Sequence, residues 1–451
     1  MGKEESWRKA FCEALTMRLE LAEFPVTQVH LGNEFSYHAG ALVVDREELL
    51  ALIHQDPRIR DAALAVAVPG EKTRITGIRD LVEPRLKVQG EGQIFPGILG
   101  PVTPVGAGRT HRLSGMAVVA TADYEGIIRA GTGVQRSAIL DMWGPGAEIS
   151  RFSSLLQLVL VLRLAPGLAE LEAHTAIQRA EYEVARRIAL TTERLDPQKI
   201  ETFDLAMEDP ARPRIMLIQC CLTESHQAHS GVSYYGLPIR DSLATVVHPN
   251  ELMEGAVTPD TTRSGRGYYP TTWDWQNHPL VFGLYGAHRK TLNFAGVILE
   301  RIRFETYHGK EVIAHNTAQL AKAMRADGVL ITWLGGGNAF VDVMLTVQAC
   351  EQRGIKTVLV TYELGGKDGV DPPLLHSVPE ATALVSTGSR DRWAELPVTE
   401  KIIGPYDEIK VLSYPGAPRV SARGPLSIDA RDAIIGGVDI WGGESWTCKG
   451  Y

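Results

Sequence analysis

The sequence predicts a mixed α/β protein, with a β-rich N-terminal half followed by a Rossmann-like half built on a parallel sheet. Three observations lead there. Before residue 124 the chain is a series of short, β-branched apolar runs cut by glycine and proline turns. After Pro279, strands alternate with single helices, the rhythm of βαβ units. A composition of 44% apolar and 22% charged residues over 451 positions is that of a folded chain with room for two or three cores.

Residues 1–16 read as a short amphipathic extension, with no apolar stretch of signal-peptide length. From Met17 onward "VTQVHL", "GALVVD", "AALAVAV", "RLKVQG" and "MAVVAT" are expected as strands, with one helix at "REELLALIHQ". Barrel and sandwich both suit that strand spacing. A strand "LQLVLVLRL" precedes "GLAELEAHTAIQRAEYEVARRIAL", whose charge and helix formers give a long amphipathic helix. A further strand from Arg214 to Cys221 leads into "HQAHSGVSYYG". These elements make up a first half spanning 17–257.

Residues 258–278, containing "TPDTTRSGRGYYPTT", form a seam with little to pack. The second half, 279–451, opens with strand "NFAGVILERI", helix "HNTAQLAKAMRADG" and strand "VLITWL". The loop "GGGN", the helix "AFVDVMLTVQACEQRG" and the strand "IKTVLVTYE" follow. In that helix Phe340, Val343, Met344 and Val347 fall at i, i+3, i+4 and i+7, and Gly354 supplies the stop.

The formal net charge of −8 argues against nucleic acid or an acidic membrane surface as the main partner. No apolar run approaches the ~18 residues of a membrane helix, so a cytoplasmic protein is expected. The five cysteines show no C-x-x-C pair, and neither a disulfide framework nor a metal site is expected.

Several groups carry chemistry. Gly335, Gly336, Gly337 and Asn338 lie between a strand and a helix start, where free N–H groups and the helix dipole favour a carboxylate or another small anion. A structural turn is the alternative, and a dinucleotide fingerprint fails at Phe340, where its third glycine belongs. Glu224, His226 and His229 cluster just past a strand and suit acid–base service or a polar domain edge. Cys220 and Cys221 end an apolar run, either as a buried pair or with Cys221 as an active thiol. Arg109, His111, His248 and Glu251 stand beside turns.

Thr261, Thr262 and Ser264 bear hydroxyls that can attack the preceding carbonyl. The resulting ester, by elimination, severs the chain and leaves an α-keto acyl terminus: pyruvoyl from serine, 2-oxobutyryl from threonine. A linker is the plainer reading of such a run.

The blocks "MRLELAEFPVTQVHLG", "EPRLKVQGEGQIFPGILG", "VGAGRTHRLSG", "ILDMWGPGAE", "HPNELMEGAV", "LYGAHRKTLNFAGVIL", "GGGNAFVDVMLTVQACEQRGIKTVLV" and "GGVDIWGG" resemble, in order, glycine/sarcosine/betaine reductase component B. The resemblance is to the precursor of its alpha and beta subunits, related to the D-proline reductase proprotein. It implies a substrate-binding subunit of a hetero-oligomeric complex that cleaves C–N bonds reductively in a small amino acid derivative. It also implies a partner subunit carrying selenocysteine or cysteine, and a precursor cut near its middle to expose a pyruvoyl group made from cysteine. This chain has no cysteine between Cys221 and Cys350. Either a hydroxyl residue replaces it, Thr262 first and then Thr261 and Ser264, or the chain stays uncut and binds its ligand without a carbonyl, or scaffolds a partner.

Overall fold

The computed structural model describes residues 17–123, 126–127, 138–223, 231–259, 269–303, 306–335, 337–366, 370–410 and 419–443. The N-terminal elements run β1 (Leu19–Pro25), β2 (Gln28–Gly32), β3 (Ser36–His38), β4 (Ala41–Asp45), α1 (Arg46–Ile53), β5 (Ile59–Ala67), β6 (Thr73–Val82) and β7 (Arg85–Gln89). They continue with β8 (Gly108–Ser114), β9 (Met116–Asp123), β10 (Ala138–Asp141), β11 (Leu156–Leu164), α2 (Glu170–Ala189) and β12 (Lys199–Phe203). Neither a barrel nor a sandwich results. The order β12-β1-β8-β7 makes one open sheet and β10-β6-β9-β11-β5 another. Helix α2 fills the space between them with Ala173, Ile177, Val184 and Ile188, which join one core with Phe24 and Leu160. Its start is fixed by Glu172, whose Oε2 accepts the Ala169 N–H at 2.9 Å.

The second sheet uses β13 (Arg214–Leu222), β14 (Val232–Tyr234), β15 (Leu237–Pro238), β16 (Ala244–Val247), α3 (Pro249–Met253), β17 (Val257–Pro259), α4 (Thr272–Gln276) and α5 (Pro279–Ala287) as its surroundings and members. Then come β18 (Asn293–Ile302), α6 (Tyr307–Ala323), β19 (Gly328–Leu334), α7 (Ala339–Glu351), β20 (Lys356–Glu363) and β21 (Leu384–Ser389). The order is β16-β18-β13-β19-β20-β21, parallel except at the edge strand β16. A parallel sheet with α6 and α7 as its crossovers is the expected Rossmann-like architecture. Phe340, Val343, Met344 and Val347 of α7 are all buried, as their spacing requires.

The division of the fold does not fall at 258–278. Strand β13 is buried from Met216 onward, and such a run is stable only with both faces covered, so it sits at the centre of the second sheet. Strand β16 also belongs there, although it precedes the seam. Conversely, β22 (Lys401–Ile403) leaves the 279–451 half and pairs with β6 in the N-terminal sheet. That return is clamped by Arg74, which forks onto Asp141 at 2.6 and 2.8 Å and donates to Ala422 O at 2.7 Å. Among the described residues no helix is long and apolar enough to cross a membrane.

Candidate functional site

Open parallel sheets bind ligands outside the C-terminal ends of their strands, where the winding direction changes. Here the chain steps from β13 to β18 on one side and to β19 on the other. β13 ends at Leu222, and the N–H of the next residue, Thr223, donates to Ile302 O at 2.8 Å. Gly335, just past β19, has φ +144°, and a Cβ there would stand 3.1 Å from the Leu222 side chain. Gly231 approaches the same residue so closely that a Cβ would lie 2.3 Å from Leu222 O. The pairing of Val232 with Pro259 then brings β17 alongside.

Three sequence-marked stretches therefore meet at the end of β13: the glycine loop, the flank of 224–230 and the entry to 260–268. Glu224, His226, His229, Thr261, Thr262, Ser264 and Gly336 themselves lie outside the described residues. The chain leaving 260–268 is tightly held. Thr272 gives its N–H to Asp80 at 2.8 Å and shares a hydrogen bond with the Tyr182 hydroxyl at 2.7 Å. Arg151 forks onto Asp274 at 2.8 Å through both contacts. Burial pushes the Asp80 carboxyl up to about 7, and that of its neighbour Glu181 well above the ordinary range.

The glycine loop is only partly open. Gly335 O accepts the Tyr362 hydroxyl, and Gly337, at φ +59°, has nothing within 4 Å of an added Cβ. Asn338 caps α7 by position, but its side chain makes no capping bond. Phe340 is core, packed 5.0 Å from the Trp333 ring, so no third glycine could serve there. The first turn of α7 also carries its own carboxylate, Asp342, so the helix dipole is already partly answered from within.

Asp342 pairs with Lys310 of α6, both about 2–3% exposed, and the Lys310 ammonium also donates to Arg303 O at 2.9 Å. Burial outweighs the lysine and holds the Asp342 carboxyl above its ordinary value. Beneath this pair Glu300 accepts from Thr346 Oγ1 at 2.7 Å and from Cys220 Sγ at 3.2 Å. Burial pushes Glu300 up to about 7.

Cys221 is fully buried, its thiol donates to Gln219 O at 3.5 Å, and burial pushes it well above the ordinary thiol value. That environment disfavours a thiolate nucleophile and suits the buried-pair reading. Elsewhere Arg109 pairs with Glu20 at 2.6 Å across neighbouring strands. His111 Nδ1 lies 3.1 Å from Thr192 O, and His248 caps α3 by accepting from the Asn250 N–H at 3.2 Å. Glu251 accepts from both Tyr234 and Tyr235 hydroxyls at 2.8 Å. The described partners of these four residues are the structural ones of a strand pair, a helix cap and a tyrosine clamp.

The sequence reading missed Lys310, Asp342, Glu300, Arg301 and Arg303. The one available signal was "VILERIR", in which charged residues interrupt an otherwise apolar strand.

Comparison with known proteins gives the family. Residues 17–449 match the family described as glycine/sarcosine/betaine reductase component B subunits. The chain is 29% identical over 443 residues to "Glycine reductase complex component B subunits alpha and beta" of Acetoanaerobium sticklandii, covering 96% of this chain and 100% of that one. It is 30% identical over 406 residues to "Sarcosine reductase complex component B subunit alpha" of Peptoclostridium acidaminophilum, covering 88% and 91%. A third relative, "Betaine reductase complex component B subunit alpha" of the same organism, is 30% identical over 410 residues, covering 89% and 90%. No solved structure matches the chain significantly.

Proposed function

This chain belongs to the glycine/sarcosine/betaine reductase component B family and is an oxidoreductase subunit of that type, and from that premise we propose that it is the substrate-binding subunit of a cytoplasmic hetero-oligomer that cleaves a C–N bond reductively in a small amino acid derivative. The observation that carries the reading is the convergence at the end of β13. Gly335, Gly231 and Pro259, which flank three segments marked by their chemistry in the sequence, lie at or beside one strand end, at the place where parallel sheets bind ligands.

The chain's own residues provide binding and orientation. Gly335 packs directly on Leu222, so the loop backbone is held against the end of β13. The Lys310–Asp342 pair fixes the N-termini of α6 and α7 to the end of β18, so the rim is rigid. Chemistry at the bond itself needs a reducing thiol or selenol, which a partner subunit supplies.

A carbonyl at the chain's new N-terminus would provide an electron sink towards an amino substrate. The described cysteines do not fit that group. Cys220, Cys221 and Cys350 are buried in the core, and no cysteine occurs between Cys221 and Cys350. The remaining sources are Thr262, Thr261 and Ser264. The missing cysteine also favours a second reading, an uncut relative that binds the same ligand class or scaffolds a partner without a carbonyl.

Intact mass of the purified chain, before and after phenylhydrazine or borohydride, separates the two. Two fragments meeting near residue 261, one of them gaining the mass of a trapped ketone, establish a hydroxyl-derived carbonyl. A single unreactive species of 49.3 kDa, also after co-expression with its partner, establishes the uncut form.

A further inference from the structure

A cavity of about 210 Å³ lies beside α4 and the start of α5. Its apolar walls are Pro270, Trp273, Pro279, Ile440 and Trp441. The Nε1 atoms of both indoles are buried, so the two rings meet the cavity through carbon. Trp441 is held in place by neighbouring rings: His278 stacks on it at 3.8 Å and 17°, and Trp275 meets it at 5.2 Å and 72°. His278 Nε2 in turn lies 3.3 Å from Gln219 Oε1, and Gln219 lies within β13, before its end at Leu222. This wall is therefore anchored along the strand and not at its end.

The charged and amide side chains lining the cavity are already engaged. Arg151 forks onto Asp274 at 2.8 Å and donates from Nη1 to Gly436 O and Val438 O at 3.1 and 3.3 Å. Asp439 Oδ1 accepts from the N–H groups of Gly442 and Gly443 at 2.8 and 3.0 Å. Asn277 accepts from Arg85 at 2.8 Å and donates to Trp273 O at 3.0 Å. A ligand with N–H groups of its own would leave water here without finding new partners, at a cost. A nitrogen that carries only methyl groups has no donor to satisfy. It keeps its positive charge, which indole rings attract, and its methyl groups suit apolar walls. The space is smaller than the roughly 300–1,000 Å³ of sites for drug-sized ligands, so the ligand is compact.

We propose that this cavity binds a small quaternary, N-methylated ammonium compound through Trp273 and Trp441. The site is separate from the end of β13 and needs no carbonyl, so the assignment goes beyond the substrate-binding reading above and stands without it.

Calorimetric titration of the full-length protein tests the assignment. The probes are tetramethylammonium and choline. They are set against the uncharged tert-butyl analogue of choline, which keeps its shape, and ethanolamine, which keeps its charge but also its N–H groups. N-acetyl-trimethyllysine amide is a further arm, for a headgroup carried on a protein chain. Choline is expected to bind about tenfold more tightly than either comparator, the effect of a desolvated cation–π contact. Trp273→Leu keeps an apolar wall, and is expected to weaken choline by about tenfold and the uncharged analogue by less than about twofold. Gly443 is exposed, and a Cβ there would stand 3.4 Å from Pro279 Cγ, in contact without a clash. Gly443→Leu therefore fills the cavity from its edge and is expected to abolish binding of every probe. Thermal melting checks both variants.

No binding of either quaternary probe, or binding of the uncharged analogue or ethanolamine as tight as that of choline, overturns the proposal. So does choline binding that is unchanged in either variant that melts normally. Trimethyllysine bound more tightly than choline overturns the assignment to a small free compound. None of these results alters the mass measurement, which tests the chain's role independently.

Discussion

Replacing Lys310 by methionine keeps most of the side chain's volume and removes its charge. Asp342, 2% exposed in the first turn of α7, would then be a buried carboxylate without its lysine partner. Removing one partner of a buried pair costs about 3–5 kcal/mol. In a unit of this size that lowers the melting temperature by on the order of 10 °C. The deficit carries a pH signature. Burial already raises the Asp342 carboxyl in the folded protein, and the loss of Lys310 raises it further. A group whose folded value lies above its unfolded one stabilises the fold at low pH and loses that contribution as pH rises. The Lys310→Met deficit is therefore largest at alkaline pH and shrinks as pH falls and Asp342 takes up a proton. Melting curves followed by tryptophan fluorescence at a series of pH values measure it. The double variant Lys310→Met/Asp342→Leu should recover much of the loss. A deficit independent of pH, or a double variant no better than the single, would refute the reasoning.

Asp80, pushed up to about 7 by burial, binds a proton in the folded state that the unfolded chain releases near pH 4, so stability declines as pH rises through that window. Asp80→Asn should flatten this slope in a plot of melting temperature against pH. Gly335→Ala should destabilise the loop by about 1–3 kcal/mol, since it adds a Cβ against Leu222 at φ +144°. Gly337→Ala faces open space and should cost only about 1 kcal/mol for its backbone, measured by the same melts. Cys221 should resist maleimide in the native protein and react promptly in denaturant, as mass spectrometry of a time course would show.

The second sheet was largely legible because its signals are local. A buried parallel strand is an uninterrupted apolar run, and α7 displays its core face at helical spacing. The seam misled because linker composition reports backbone freedom, not membership of a sheet. Whether Arg214–Leu222 pairs with strands before or after residue 260 is decided by long-range register, which no window of sequence contains. The same limit hid much of the site. Lys310 and Asp342 are 32 positions apart, and only the crossover geometry of α6 and α7 makes them partners. Gly335 was visible as a loop glycine, but its reason for being glycine is Leu222, more than a hundred positions upstream in the chain.

The interleaving of strands from both sides of residues 260–268 has a consequence for any cut made there. β13 lies between β18 and β19, and β16 is hydrogen-bonded to β18, so the two pieces would share one sheet rather than one interface. They could not be separated without unfolding, and once unfolded they would have to find each other by diffusion. Refolding would change from a first-order to a second-order process, slower at every dilution. The cut would therefore have to follow folding, and the finished protein would owe its persistence to the barrier against opening.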